Sequence, residues 1–112
     1  MSQVTTHILD TSKGKPAWGV TITLFEKVGT EWLEVAKGIT NKDGRISNLL
    51  KEEELLPFAI YKLSFDTKHY FDATEVETFY PIVDIVFEIK TEEHYHIPLL
   101  LSSFGYSTYR GS

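Results

Sequence analysis

The chain has 112 residues, 42% hydrophobic and 13% aromatic, enough for one globular domain (1–112) around one buried core. Eleven basic against sixteen acidic residues give a net charge of -5 with no basic stripe, which argues against nucleic acid as a partner. The absence of cysteine excludes disulfides, thiolate chemistry and cysteine zinc sites; no basic or apolar leader opens the chain and no run nears the roughly 18 apolar residues of a membrane span, so a cytoplasmic protein with no membrane partner is expected.

From Val4 to Thr11 the residues alternate, with Val4, Thr6 and Ile8 on one side and Thr5, His7 and Leu9 on the other, which predicts a strand that turns His7 away from the apolar row. Asp10 to Pro16 is dense in turn formers and predicts an exposed loop. Trp18, Val20, Ile22 and Leu24 recur every second residue as a half-buried strand, Gly29-Thr30 fits a tight hairpin turn, and the return strand runs from about Trp32 to Gly38. Asn41-Lys42-Asp43-Gly44 is a further turn, with Arg45 directly behind it. The acidic run Lys51 to Glu54 reads as a solvated loop or a single helical turn. Ala59, Tyr61, Leu63 and Phe65 form another alternating row, Asp66 or Thr67 can cap a short helix reaching about Glu75, and Val83, Ile85, Phe87 and Ile89 alternate after Pro81.

The last nineteen residues, HYHIPLLLSSFGYSTYRGS, concentrate the chemistry. Tyr95, Ile97, Leu99 and Leu101 form an unbroken apolar row, which puts His94, His96, Pro98 and Leu100 on the opposite face. Ser102 and Ser103 turn the chain, and Phe104 to Arg110 is rich enough in aromatics and threonine for a second strand in a hairpin. Roughly eight short strands and one short helix read as an all-β sandwich. Periodicity does not separate this from an immunoglobulin-like sandwich, although the missing cysteines remove one diagnostic of that class.

This closing stretch resembles the C-terminal signature of the transthyretin-like 5-hydroxyisourate hydrolases, and THILDTSKGKPA (residues 6–17) is similar to their N-terminal signature. Asn41 to Arg45 and Tyr61 to Thr67 also fit, so the resemblance spans the chain; the final YRGS is its most specific part, because the carrier branch of the fold lacks it. One departure is Ser103, where proline is expected. The resemblance implies a transthyretin-like sandwich of two four-stranded sheets, assembled as a homotetramer (a dimer of dimers) with a channel between sheets. It also implies hydrolysis of 5-hydroxyisourate to 2-oxo-4-hydroxy-4-carboxy-5-ureidoimidazoline in urate degradation. The alternative is a small-ligand carrier on the same fold, without catalysis.

Each candidate residue has a plain reading beside a chemical one. His96 and His7 are exposed strand histidines, or general acid–base groups able to exchange protons near neutrality. His94-x-His96 also has the spacing by which same-face strand residues share a zinc ion, with His7 as a third nitrogen; the resemblance implies no metal, and neither metal nor cofactor is assigned. Arg45 is a surface charge, or a planar guanidinium bracketing the carbonyl oxygens of an oxidised purine. Tyr109 shares parity with Ser107 and Gly105 and is either an interfacial tyrosine or a hydrogen-bonding partner of the substrate. The resemblance carries catalysis onto His7, Arg45, His96 and Ser112 and substrate binding onto His7, Arg45 and Tyr109. Strand alternation would turn Ser112 away from its own channel face, so Gly111, by adopting backbone angles closed to other residues, is expected to bend the tail into a site shared with a neighbouring subunit.

Overall fold

Alternation along each strand builds the interior of the computed structural model, which describes residues 2–112. Strand β1 (Val4–Asp10) buries Val4, Thr6, Ile8 and Asp10; β3 (Thr21–Val28) buries Ile22 and Leu24; β5 (Ala59–Phe65) buries Tyr61, Leu63 and Phe65. To these β6 (Val83–Ile89) adds Val83, Ile85 and Ile89, and β7 (Tyr95–Ser102) adds Tyr95, Ile97, Leu99 and Leu101. Each fully buried aliphatic or aromatic side chain of this kind contributes about 1.5–3 kcal/mol relative to an exposed one, so these rows hold the domain together. With β2 (Lys15–Pro16), β4 (Glu31–Ile39) and β8 (Gly105–Thr108) they form two four-stranded sheets, ordered β2-β1-β7-β8 and β4-β3-β5-β6, as expected.

The polar members of the interior are all satisfied. Thr6 Oγ1 donates to the Ile97 carbonyl at 2.6 Å, and Asp10 Oδ2 accepts from the Tyr70 hydroxyl at 2.7 Å while its Oδ1 accepts from the Ser12 and Lys13 amides. Among the described residues no buried side-chain nitrogen or oxygen lacks a partner. Tyr70 belongs to helix α1 (Thr67–Ala73), which Asp66 caps by accepting from the His69 amide; the Asp10 bond therefore ties that helix to the end of β1. The helix stops short of the expected Glu75, which takes a left-handed φ of 58°.

Other expectations shift for identifiable reasons. Trp18 is 68% exposed and outside any strand, because Gly19 at φ 86° interrupts the alternation before Val20. The expected loop after β1 closes on itself, with Leu9 opposite Pro16 and Asp10 opposite Lys15, and so supplies the missing eighth strand. Phe104 lies in the β7–β8 turn, not in a strand. That turn is anchored through the Ser103 carbonyl, which accepts from the Phe79 amide (2.9 Å) and the Thr78 hydroxyl (2.8 Å) and so holds the turn without a proline. No helix among the described residues is long and apolar enough to cross a membrane.

Candidate active site

The site is built on a parallel seam between β1 and β7, with Thr5 opposite His96 and His7 opposite Pro98. Both strands turn their apolar row inward, so Thr5 and His7 from β1, His96 from β7 and His94 from just before β7 emerge together on the outer face. Thr5 Oγ1 lies between two imidazoles, 2.7 Å from His94 Nε2 and 2.8 Å from His96 Nδ1. On its other side His96 presents Nε2 at 3.4 Å from His7 Nδ1, with the two rings stacked at 5.6 Å and 11°. The three histidines and one threonine thus form a single row in the order His94, Thr5, His96, His7.

Arg45 is delivered to this row by the Asn41–Gly44 turn. The Asn41 side-chain oxygen accepts from the Asp43 and Arg45 amides, and Ile8 N–H donates to the Gly44 carbonyl at 2.9 Å, drawing the turn onto β1. Only glycine fits at 44: φ is 73°, and a Cβ would stand 2.5 Å from the Ile8 carbonyl oxygen. Arg45 then bridges His7 through the backbone, and its guanidinium makes no ion pair among the described residues.

The tail closes the site from the other side. Continuing the β7–β8 register would set Tyr109 opposite Pro98, which has no N–H to give, and the Pro98 carbonyl is taken by the Thr108 hydroxyl at 2.6 Å. Strand β8 accordingly ends at Thr108. The chain rejoins the sheet at Gly111, whose N–H donates to the His96 carbonyl at 2.8 Å. Gly111 has no unusual backbone angle; it is required because a Cβ there would lie 2.6 Å from His96 Cδ2 and 3.2 Å from Pro98 Cγ. Arg110 turns away, lying 4.4 Å over the Tyr95 ring and 3.7 Å from Glu93.

Ser112 lines a cavity of its own chain. The cavity measures about 350 Å³ and is lined by Thr5, Thr6, Asn41, Arg45, Ile46, Ser47, His94, His96 and Ser112. A larger hollow of about 770 Å³ around Ser2, Val35, Leu50 and Glu54 holds no histidine or arginine. Of the residues singled out from the sequence, the fold brings Arg45, His96 and Ser112 to this cavity, and His7 stands behind them, against His96 and Arg45 and outside the lining. It leaves Tyr109 apart, 57% exposed beside a second hollow with Phe87, Tyr95 and Arg110. Thr5, Asn41 and Ser47 were not anticipated; Thr5 was within reach, since it shares His7's parity one turn of the pleat away.

The surroundings of the two central imidazoles disfavour their charged forms. Burial, and then the Arg45 charge, hold His7 below the usual histidine range. Burial does the same to His96, reinforced by His7, Arg45 and His94 and opposed by Thr5. Two neutral imidazoles beside an unpaired guanidinium can abstract and return protons while the cation holds an anionic or carbonyl oxygen. Among the described residues no three His, Asp or Glu side chains are arranged to hold a metal ion, and the nitrogens of His94 and His96 that would share one converge on the Thr5 hydroxyl.

Residues 4–111 match the model of the HIUase/Transthyretin family. The 5-hydroxyisourate hydrolase of Salmonella dublin is 48% identical over 107 residues, covering 95% of this chain and 78% of that protein. Among solved structures, Klebsiella pneumoniae 5-hydroxyisourate hydrolase superposes with a TM-score of 0.86 at 38% identity, over 97% of this chain and 98% of that one. Sea bream transthyretin in complex with thyroxine superposes with a TM-score of 0.91 at 34% identity, over 98% and 95%. A backbone shared by proteins so differently named leaves the side chains to decide function.

Proposed function

The chain belongs to the HIUase/Transthyretin family, and from that membership together with the lining of its cavity we infer that it is an enzyme, the hydrolase of 5-hydroxyisourate. The observation that carries this is the row of imidazoles facing an unpaired Arg45 beside Ser112. A carrier of apolar ligands gains by burying aliphatic surface and loses by desolvating ionisable groups. This cavity offers the reverse.

In the proposed mechanism the substrate's ring carbonyl points at the Arg45 guanidinium, which stabilises the oxyanion as it forms. Neutral His7, kept from protonating by burial and by Arg45, takes a proton from water as the oxygen attacks the carbonyl carbon. The carbon–nitrogen bond then breaks, and His96 Nε2 gives a proton to the departing ring nitrogen. No covalent enzyme intermediate is needed. Ser112 and Tyr109 complete the binding of the ring, Tyr109 in the assembled homotetramer. Two features support assembly as a dimer of dimers: the outer edges of β6 and β8 are unpaired, and Phe79, Tyr80, Phe104 and Tyr106 are left exposed beside them.

The direct test generates 5-hydroxyisourate from urate and follows its ultraviolet decay with and without protein. Acceleration at micromolar enzyme is expected; a decay unchanged from the spontaneous one would sink the assignment.

A further inference from the structure

Neutral His96 poses a chemical difficulty if it is to protonate a leaving nitrogen. The N–H of an uncharged imidazole is a very weak acid, and burial beside Arg45 and His7 opposes the charged form that would be a good one. An imidazole can still deliver a proton from one nitrogen if another proton arrives at the second nitrogen in the same step. His96 Nδ1 has one neighbour able to supply it, the Thr5 hydroxyl at 2.8 Å, and that hydroxyl is 2.7 Å from His94 Nε2.

We propose that Thr5 is a positioning residue that relays protons between His94 and His96, making His94 the proton store for the acid step at His96 Nε2. The proposal rests on the hydrolase reading and deepens it. A hydroxyl has one proton, so between two nitrogens it donates to one and accepts from the other. With His94 protonated on both nitrogens, its Nε2–H donates to Thr5 Oγ1 and the Thr5 O–H donates to His96 Nδ1, which leaves the His96 proton on Nε2. When the leaving nitrogen takes that proton, the Thr5 proton moves to His96 Nδ1 and the His94 Nε2 proton moves to Thr5.

The return path is in the same row. His7, carrying the proton taken from water, faces His96 Nε2 through Nδ1 at 3.4 Å and can pass a proton across. His96 then releases its Nδ1 proton to Thr5, and the Thr5 proton goes back to His94 Nε2. One proton leaves water and one reaches the ring nitrogen in each turnover, so the row ends as it began. The register of β1 against β7 enforces the arrangement, since Thr5 stands directly opposite His96 and His94 lies two residues earlier on the same face.

Thr5→Val keeps the shape and removes the hydroxyl. It is expected to lower kcat by about 10²-fold, the lower end of what a positioned proton-transfer group contributes, with KM within about twofold and an unchanged melt. Thr5→Ser restores the hydroxyl and should return kcat to within about threefold, and His94→Gln, which can donate but cannot carry a proton, should resemble Thr5→Val. The dependence of kcat on deuterium content should be curved for the parent protein, where several protons move together, and straight for Thr5→Val. A Thr5→Val kcat within about twofold of the parent, or a Thr5→Ser as slow as Thr5→Val, overturns the relay. Should Thr5→Val fail to fold, an unimpaired His94→Gln overturns it equally. A parent protein without turnover would sink the hydrolase reading itself, an outcome distinct from an active parent with an active Thr5→Val.

Discussion

The two sheets share an inner design and differ on the outside. In β4-β3-β5-β6 the outer face carries Lys62, its Nζ 5.0 Å from the Phe25 ring centroid and 4.5 Å from that of Trp32, within 3.9 Å of Asp84; the charge is spent on its own neighbours. In β2-β1-β7-β8 the outer face carries two imidazoles on one hydroxyl, a third imidazole against one of them, and a guanidinium with no ion pair among the described residues. The inner rows make the fold, and the outer row of one sheet makes the proposed site. A substitution on that row should therefore separate activity from stability.

The sharpest contrast is between His96→Asn or His7→Ala and Lys62→Met. Either histidine change should lower kcat/KM by about 10²-fold or more while the thermal melt stays within about 4 °C; Lys62→Met should alter kcat/KM by less than about twofold. Comparable losses from the two sheets would break the comparison. An intermediate effect is expected for Gly111→Ala, whose methyl group would meet the His96 ring at 2.6 Å and must displace it. Its turnover should fall about 10-fold, short of the roughly 10²-fold that a full 1 Å misplacement can cost, with the β-sheet circular dichroism retained. A wild-type rate would mean that the ring position is unimportant.

The smallest effect lies in the pH profile. Because His7 and His96 are held below their ordinary range, the acidic limb of kcat/KM should fall below pH 6.5. Arg45→Met removes a cation that disfavours the imidazolium forms, so the limb should move up toward 6.5 without reaching it, burial being the larger cause. A limb that moves down, or not at all, would remove Arg45 from the electrostatics of the row. Stability has the same sign: as the pH falls below the unfolded value of about 6.5 the unfolded chain takes up these protons first, so folding weakens from there until the folded pKa values are passed.

The rows and most turns were legible because period-two alternation records which face is buried; the nearness of His7, Arg45 and His96 was legible through the family resemblance, and parity added the face on which the two histidines stand. What failed did so locally. Trp18 matched the apolar row of β3 in spacing, but Gly19 resets the backbone between them. Gly111 looked like a hinge because glycine permits unusual angles, yet the structure uses its missing side chain. Parity put Thr5 on the face of His7 but gave it no chemistry, since an alternating threonine is ordinary strand material; its place between two imidazoles depends on a parallel register that spacing along one strand does not encode. Tyr109 kept its parity, since Gly111 rejoins β7 opposite His96 in the same register, but its exposed side chain lies at the hollow beside Tyr95 and Arg110, apart from the imidazoles.

The seam between β1 and β7 also sets when activity can appear. Its contacts join residues 89 and 91 positions apart, whereas β3 and β4 are closed by a two-residue hairpin with Val28 opposite Glu31. Distant segments must lose chain entropy before their contacts compensate for it, which makes such pairings slow and late. During refolding the β3–β4 hairpin can assemble from near neighbours while the histidines are still scattered along the chain. With the proposed site, turnover should report the final docking of the two strands, and a half-folded molecule rich in β-structure should be catalytically silent.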